Sequence, residues 1–234
     1  MVVGFAFVAA AVSTVFAQAM LARWTQDHRP QDGAWALALA MFMLASLALA
    51  TGSATGWDTP TFRVFYLFGA ILDVPCLALG TVYLLAPPVV ARRSRQCLLV
   101  VSGLAAGVMV STPMDRVRGH EIPVGKEVFG ALPRVLAATG SGLAALVIVA
   151  GAVLSATRFA KARTAPGHAR LAGANALIAL GTLVLSSGGL VQGVVGHDEA
   201  FAASLAVGIS VIYAGFLVAA ARGGKAPAIS PSSS

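Results

Sequence analysis

The feature that most limits this chain is the recurrence of apolar runs of about bilayer length, separated by short polar connections. A hydrocarbon core about 30 Å thick takes roughly 20 apolar residues of helix. Such runs are read at 2–22, 34–56, 61–86, 97–112, 134–156, 171–196 and 200–221, and no connection is long enough to hold a soluble domain. Within lipid every backbone N–H and C=O needs a protein partner, which helices of this length supply internally. The expected fold is therefore all-α: a polytopic membrane protein, one bundle of seven transmembrane helices over residues 1–222. A small, polar tail over 223–234 is expected to be disordered.

Composition agrees with a lipid solvent. The chain is 58% hydrophobic and 11% charged, against the roughly 25% charged content of soluble domains. A net charge of +7 could point to nucleic acid, but the basic residues are dispersed over the connections and form no single patch. Arg23, Arg29, Arg92, Arg93, Arg95, Arg158, Lys161, Arg163, Arg170, Arg222 and Lys225 fall at one end of the spans, and Arg63, Arg116, Arg118, Lys126 and Arg134 at the other. Cytoplasmic loops carry the excess of Lys and Arg, so this asymmetry predicts an outside N-terminus and a cytoplasmic C-terminus. The preponderance of Arg over Lys, with abundant Ala and Gly, suggests a GC-rich bacterial genome and hence a bacterial cytoplasmic membrane.

The first run ends in Ala17-Gln18-Ala19, which resembles a signal-peptide cleavage site. No basic segment precedes it, and its removal would place the most basic connections outside, so the first span is retained.

One acidic residue, Asp73, cannot be moved into a loop by any choice of span boundary. A carboxyl group at that depth is costly and normally faces a packed interior or a wet cavity, where it marks function. Pro75 follows it and lacks the N–H that the Ile71 carbonyl would accept in an α-helix. Ser186-Ser187-Gly188-Gly189 is a second weak point in helical propensity, with Gln192 farther along the same span and Tyr213 in the last. Two interrupted helices can expose backbone groups to an ion or a polar ligand. The expected site is an interior polar layer of Asp73, Ser186, Ser187, Gln192 and Tyr213, with Ser13, Thr14, Ser46, Ser102 and Ser210 at similar depth. The competing reading is a hydrogen-bonded packing knot. Arg63 lies ten residues before Asp73, roughly 15 Å along a helix, too far for a direct ion pair.

Several chemistries lack their residues. There is no lysine inside the last span for a Schiff base, and the four histidines are placed in connections, away from any haem within the membrane. HExxH, P-loop and G-x-S-x-G patterns are missing, and one intramembrane carboxyl does not make an aspartyl protease. Cys76 and Cys97 have no spacing for zinc or a redox pair. The expectation is a protein without catalytic activity, cofactor or bound metal, serving transport of a small polar ligand or ion. The alternative is a sensor or accessory subunit that contacts other membrane proteins.

Four smaller readings complete the sequence. His120 and Glu121 in one connection, and His197, Asp198 and Glu199 in another, could meet as metal ligands, but an N-terminal dipole role for Asp198 and Glu199 is preferred. Trp24, Trp35 and Trp57 are expected at the headgroup level. Gly52/Gly56, Gly103/Gly107 and Gly189/Gly193 have the spacing of close helix contacts within one bundle. Ala78-Leu79-Gly80-Thr81 recurs as Ala179-Leu180-Gly181-Thr182, which would fit a 3+3 inverted repeat.

Overall fold

The computed structural model describes residues 1–114, 117, 119–161, 168–195 and 197–220. The tail expected to be disordered at 223–234 lies outside them. Among the described residues the structure is all-helical, with no strand.

Local chemistry sets most helix ends. Helix α1, Val2–Asp27, stops where His28 enters the left-handed region at φ 53° and returns its N–H to the Trp24 carbonyl. Pro30 then occupies the first turn of α2, Pro30–Thr55, where a missing N–H costs nothing. Gly56, at φ 95°, ends α2, and Asp58 caps α3 by accepting the Thr61 N–H at 2.8 Å. Helix α3 runs from Thr59 to Leu85 and contains a π-helical segment, Tyr66–Leu72. Pro88 opens α4, Pro88–Ser111. After a single turn at Gly125–Val128 come α5, Ala131–Lys161, α6, His168–Val195, and α7, Asp198–Ala220.

Among the described residues, six helices, α1 to α5 and α7, are long and apolar enough to cross a membrane. In α6 the described apolar stretch is Gly173–Gly189. Helix α4 begins nine residues earlier than the apolar run at 97–112 suggests. Arg92, Arg93 and Arg95 therefore stand on its first turns and not in a loop, because Pro88 starts the helix and Arg is a good helix former.

The helices close a ring in which α1 packs on α2, α2 on α3, α3 on α5, α5 on α6, α6 on α7 and α7 on α1. Helix α4 leans on the outside, against α3 and more lightly α5. Ala6, Ala9, Ala105 and Ala202 are fully buried beside large apolar groups such as Phe62, Leu49 and Leu39, while Val100 and Leu146 on the periphery are 73% and 67% exposed. An exposed apolar periphery suits a protein dissolved in lipid, where side chains need no shelter from water. The chain is a multi-pass helical membrane protein.

The glycine pairs divide. Gly181 and Gly208 let α6 and α7 touch backbone to side chain, since a Cβ on Gly181 would sit 2.7 Å from the Gly208 carbonyl oxygen. Gly103 and Gly107 have nothing within 4 Å, so the contact expected of that pair within the bundle is not found. Gly52 instead seats the Trp57 indole. The two copies of the Ala-Leu-Gly-Thr repeat also differ in surroundings: Gly80 lies against Trp35 of α2, and Gly181 against α7.

Two of the tryptophans read at helix ends are packed between elements. Trp57 is 4% exposed and sits edge-on to Phe62 in an aromatic cluster with Phe65, Tyr66, Phe129 and Phe201. Trp35 is half-buried between α2 and α3, and its indole N–H donates to the Leu77 carbonyl at 3.2 Å. Both rings fill space between elements that the linear sequence does not show to be neighbours.

Candidate functional site

The site is built around the middle of α3. The π segment adds one residue to a helical turn, so each N–H reaches back five residues and the register shifts. It ends at Asp73, whose own N–H donates to the Phe68 carbonyl, five residues back. Pro75 lies past this segment, in the α-helical part of α3, where the N–H it lacks is the one the Ile71 carbonyl would accept. Ser141 of α5 bonds to the same turn one residue earlier, its hydroxyl donating to the Ala70 oxygen at 2.7 Å. Its neighbour Gly140 faces Pro75 and the Ile71 carbonyl, which would lie at ordinary contact distance from a Cβ there. On the opposite side Gly69 packs on Ala45 of α2, and Trp35 holds Leu77 one turn past Asp73.

Asp73 is 4% exposed. Its Oδ1 accepts the Val74 N–H at 2.6 Å, a bond within its own helix, and no side chain of another helix bonds to it among the described residues. The polar partner expected from another span is thus not seen in this conformation. Ser46, beside Ala45 on α2, is likewise buried with its hydroxyl unpartnered. Two polar groups without cross-helix partners near one broken helix are costly in an apolar interior.

The other residues assigned to the polar layer have separate neighbours. Gln192 donates through Nε2 to Asp198 Oδ1 at 2.9 Å, near the end of α6, and its buried amide oxygen has no partner. Ser187 is exposed and donates to the Val184 carbonyl, and Ser186 is half-buried. Tyr213 stacks with Phe216 and meets Phe16 at a tilt, toward the end where Arg23 lies over the Phe216 ring. Ser13, Thr14 and Ser210 donate to carbonyls of their own helices.

At the end of the ring that carries the 112–130 connection, the polypeptide is tied down by hydrogen bonds. Trp57 N–H donates to the Gly119 carbonyl at 2.8 Å, and His120 Nδ1 lies 3.2 Å from the Ser53 carbonyl oxygen. Ile122 N–H donates to Asp198 Oδ2 at 2.8 Å, so the two connections meet as considered for a metal site. Asp198 is spent on Ile122 and Gln192, and among the described residues no group of three potential ligand side chains gathers. Its carboxylate therefore joins a connection to two helices in addition to standing at the start of α7. Arg63 donates to the Val110 and Thr112 carbonyls at 2.8 and 2.9 Å, satisfying the open C-terminal carbonyls of α4. At the start of α3 the Asp58 carboxyl is held below its ordinary value of 3.8, first by the Thr61 side-chain hydrogen bond and then by the Thr61 N–H.

Sequence reasoning missed Ser141 and Trp35. Pro75 was the available signal, because an orphaned carbonyl in lipid demands a donor from a neighbouring helix. Comparison with known protein families, with characterised proteins and with solved structures returns no match to this chain.

Proposed function

We propose that this is a seven-helix protein of a bacterial cytoplasmic membrane that binds a small polar ligand or ion at Asp73 for transport. The observation that carries the reading is the buried Asp73 carboxyl at the point where the π segment of α3 gives way to α-helix, two residues before Pro75. Interrupted helices with an intramembrane acid are how transporters present charge and backbone groups to a ligand, and π segments concentrate at functional sites. The seventh span is α6, whose 28 residues exceed bilayer length although its described apolar stretch is shorter. Basic residues favour the end bearing Arg92, Arg93 and Arg95 as cytoplasmic, with the N-terminus outside.

In this proposal Asp73 is the ligand's charged contact. Ser186, Ser187, Gln192 and Tyr213 belong to the α6–α7 hairpin and enter only as groups that an opened hairpin would bring to the ligand. The proposal includes no catalytic step, cofactor or metal. A ligand that binds the folded state at 100 times its Kd stabilises it by about 2.7 kcal/mol, roughly 5–10 °C in unfolding midpoint for a chain of this size. Purified protein in uncharged detergent is therefore screened by thermal unfolding against Na⁺, K⁺, Mg²⁺ and small polar solutes. A stabilising solute should lose its effect in Asp73→Asn, and equal stabilisation of both forms would remove Asp73 from the site.

The accessory-subunit reading draws on a different observation, the open face of α4, where Val100 and Val110 are 73% and 74% exposed. Under that reading a partner protein recovered in mild detergent is lost on Val100→Ser with Leu104→Ser and retained in Asp73→Asn. Under the transport reading the dependence on Asp73 is the one that appears.

A further inference from the structure

At the end of the ring carrying the α1–α2 and α3–α4 turns lies a pocket of about 350 Å³, lined by Pro30, Tyr83, Pro88, Arg92 and Arg95 among others. That volume lies at the small end of ligand pockets and accommodates a phosphate group with its ester substituents. The pocket lining contains no carboxylate. The ion pairs among the described residues join Arg23 to Asp32 and Arg29 to Asp27, which leaves Arg92 and Arg95 without a counter-charge. Three residues apart on α4, the two guanidinium groups share one helix face, and each can present paired N–H donors to phosphate oxygens. The first turn of α4 adds the positive end of its dipole.

The surroundings choose between a lipid headgroup and free phosphate. Leu84 and Val89 beside the pocket are 53% and 57% exposed, and Leu99 and Val100 continue the open apolar surface along α4 at 66% and 73%. A charged cavity that opens onto a greasy helix face fits a molecule with a phosphate at one end and acyl chains below it. Basic pockets between transmembrane helices on the cytoplasmic side bind anionic headgroups. We propose that Arg92 and Arg95 hold the phosphate of an anionic phospholipid, with its chains lying along α3 and α4. This does not depend on the assignment of Asp73.

The test uses the full chain purified in uncharged detergent and titrated with phosphatidylglycerol or phosphatidylcholine, with bound lipid read by native mass spectrometry. Phosphatidylglycerol should bind at least tenfold more tightly. An arginine near an anionic headgroup is worth about a factor of five, so Arg92→Ala with Arg95→Ala should weaken binding roughly 25-fold. Arg93→Ala, which removes charge from the same turn but not from the pocket lining, should change it less than twofold. Unchanged thermal unfolding in lipid-free detergent shows that the variants fold. Equal affinity for the two lipids, or an Arg93→Ala loss as large as the Arg92/Arg95 loss, would overturn the proposal. So would inorganic phosphate competing with the lipid at equal concentration, since that result would identify the site as one for free phosphate.

Discussion

Replacing Ser141 by Ala removes the hydroxyl that donates to the Ala70 carbonyl, and Pro75 cannot serve in its place. An ordinary hydrogen bond is worth about 1 kcal/mol net, and a buried acceptor left bare costs about 1–3 kcal/mol. Hydrogen bonds between membrane helices average nearer 0.6 kcal/mol, with a maximum of about 1.7, because the unfolded state in lipid also finds partners. The bond here is short, at 2.7 Å, and joins α5 to the turn that Pro75 interrupts. A loss of about 1–2 kcal/mol is therefore expected. The assay is equilibrium unfolding in a graded mixture of mild and denaturing detergent, followed by helical circular dichroism. The cycle is completed with Pro75→Ala, which restores an N–H to the turn that holds the Ala70 and Ile71 carbonyls. In that background Ser141→Ala should cost about 1 kcal/mol less than in the parent, a coupling typical of residues sharing one network. A coupling below about 0.3 kcal/mol, within the error of additivity, would refute the claim that Ser141 compensates for the proline.

Three further outcomes follow from the geometry. Asp198→Ala should destabilise the protein by about 2 kcal/mol in the same assay, because it strands the Ile122 N–H and the Gln192 amide together, while Asp198→Asn should cost less. The Asp58 cap is a depressed carboxyl, so its contribution is complete above the ordinary value of 3.8 and is lost as pH falls through its lower folded value; hydrogen exchange at the Thr61 amide should accelerate below that window in the parent and be fast at all pH values in Asp58→Ala. Cysteines placed at Arg93 and Arg163, in a chain lacking Cys76 and Cys97, should be shielded from an impermeant thiol reagent in intact cells, whereas one at Lys126 should react; the opposite pattern would invert the topology.

The membrane class and most helix positions were legible because lipid imposes a length and a composition on every span, and both are written in consecutive residues. Helix α3 starts two residues before the expected 61, while α2 and α4 start farther ahead of 34 and 97, at Pro30 and Pro88. The start of α4 was misplaced because hydropathy stops at the arginines, although the helix does not. Asp73 was legible as an acid inside an apolar run. Its surroundings were not, because a π segment depends on how neighbouring helices press on α3, and the seven residues Tyr66–Leu72 read alike in either register. The roles of Trp57, Trp35 and Gln192 escaped for the same reason. Each bonds or packs across helices, and linear spacing carries no information about which helix is adjacent.

The most direct test of the central claim is charge movement through protein reconstituted in liposomes on a solid-supported membrane, with concentration jumps of each solute that stabilises the purified protein. The parent should give a current that scales with protein content, and Asp73→Asn should give none while keeping the parent's helical content and its unfolding midpoint in the absence of solute. An Asp73→Asn protein that carries the same current as the parent would contradict the account.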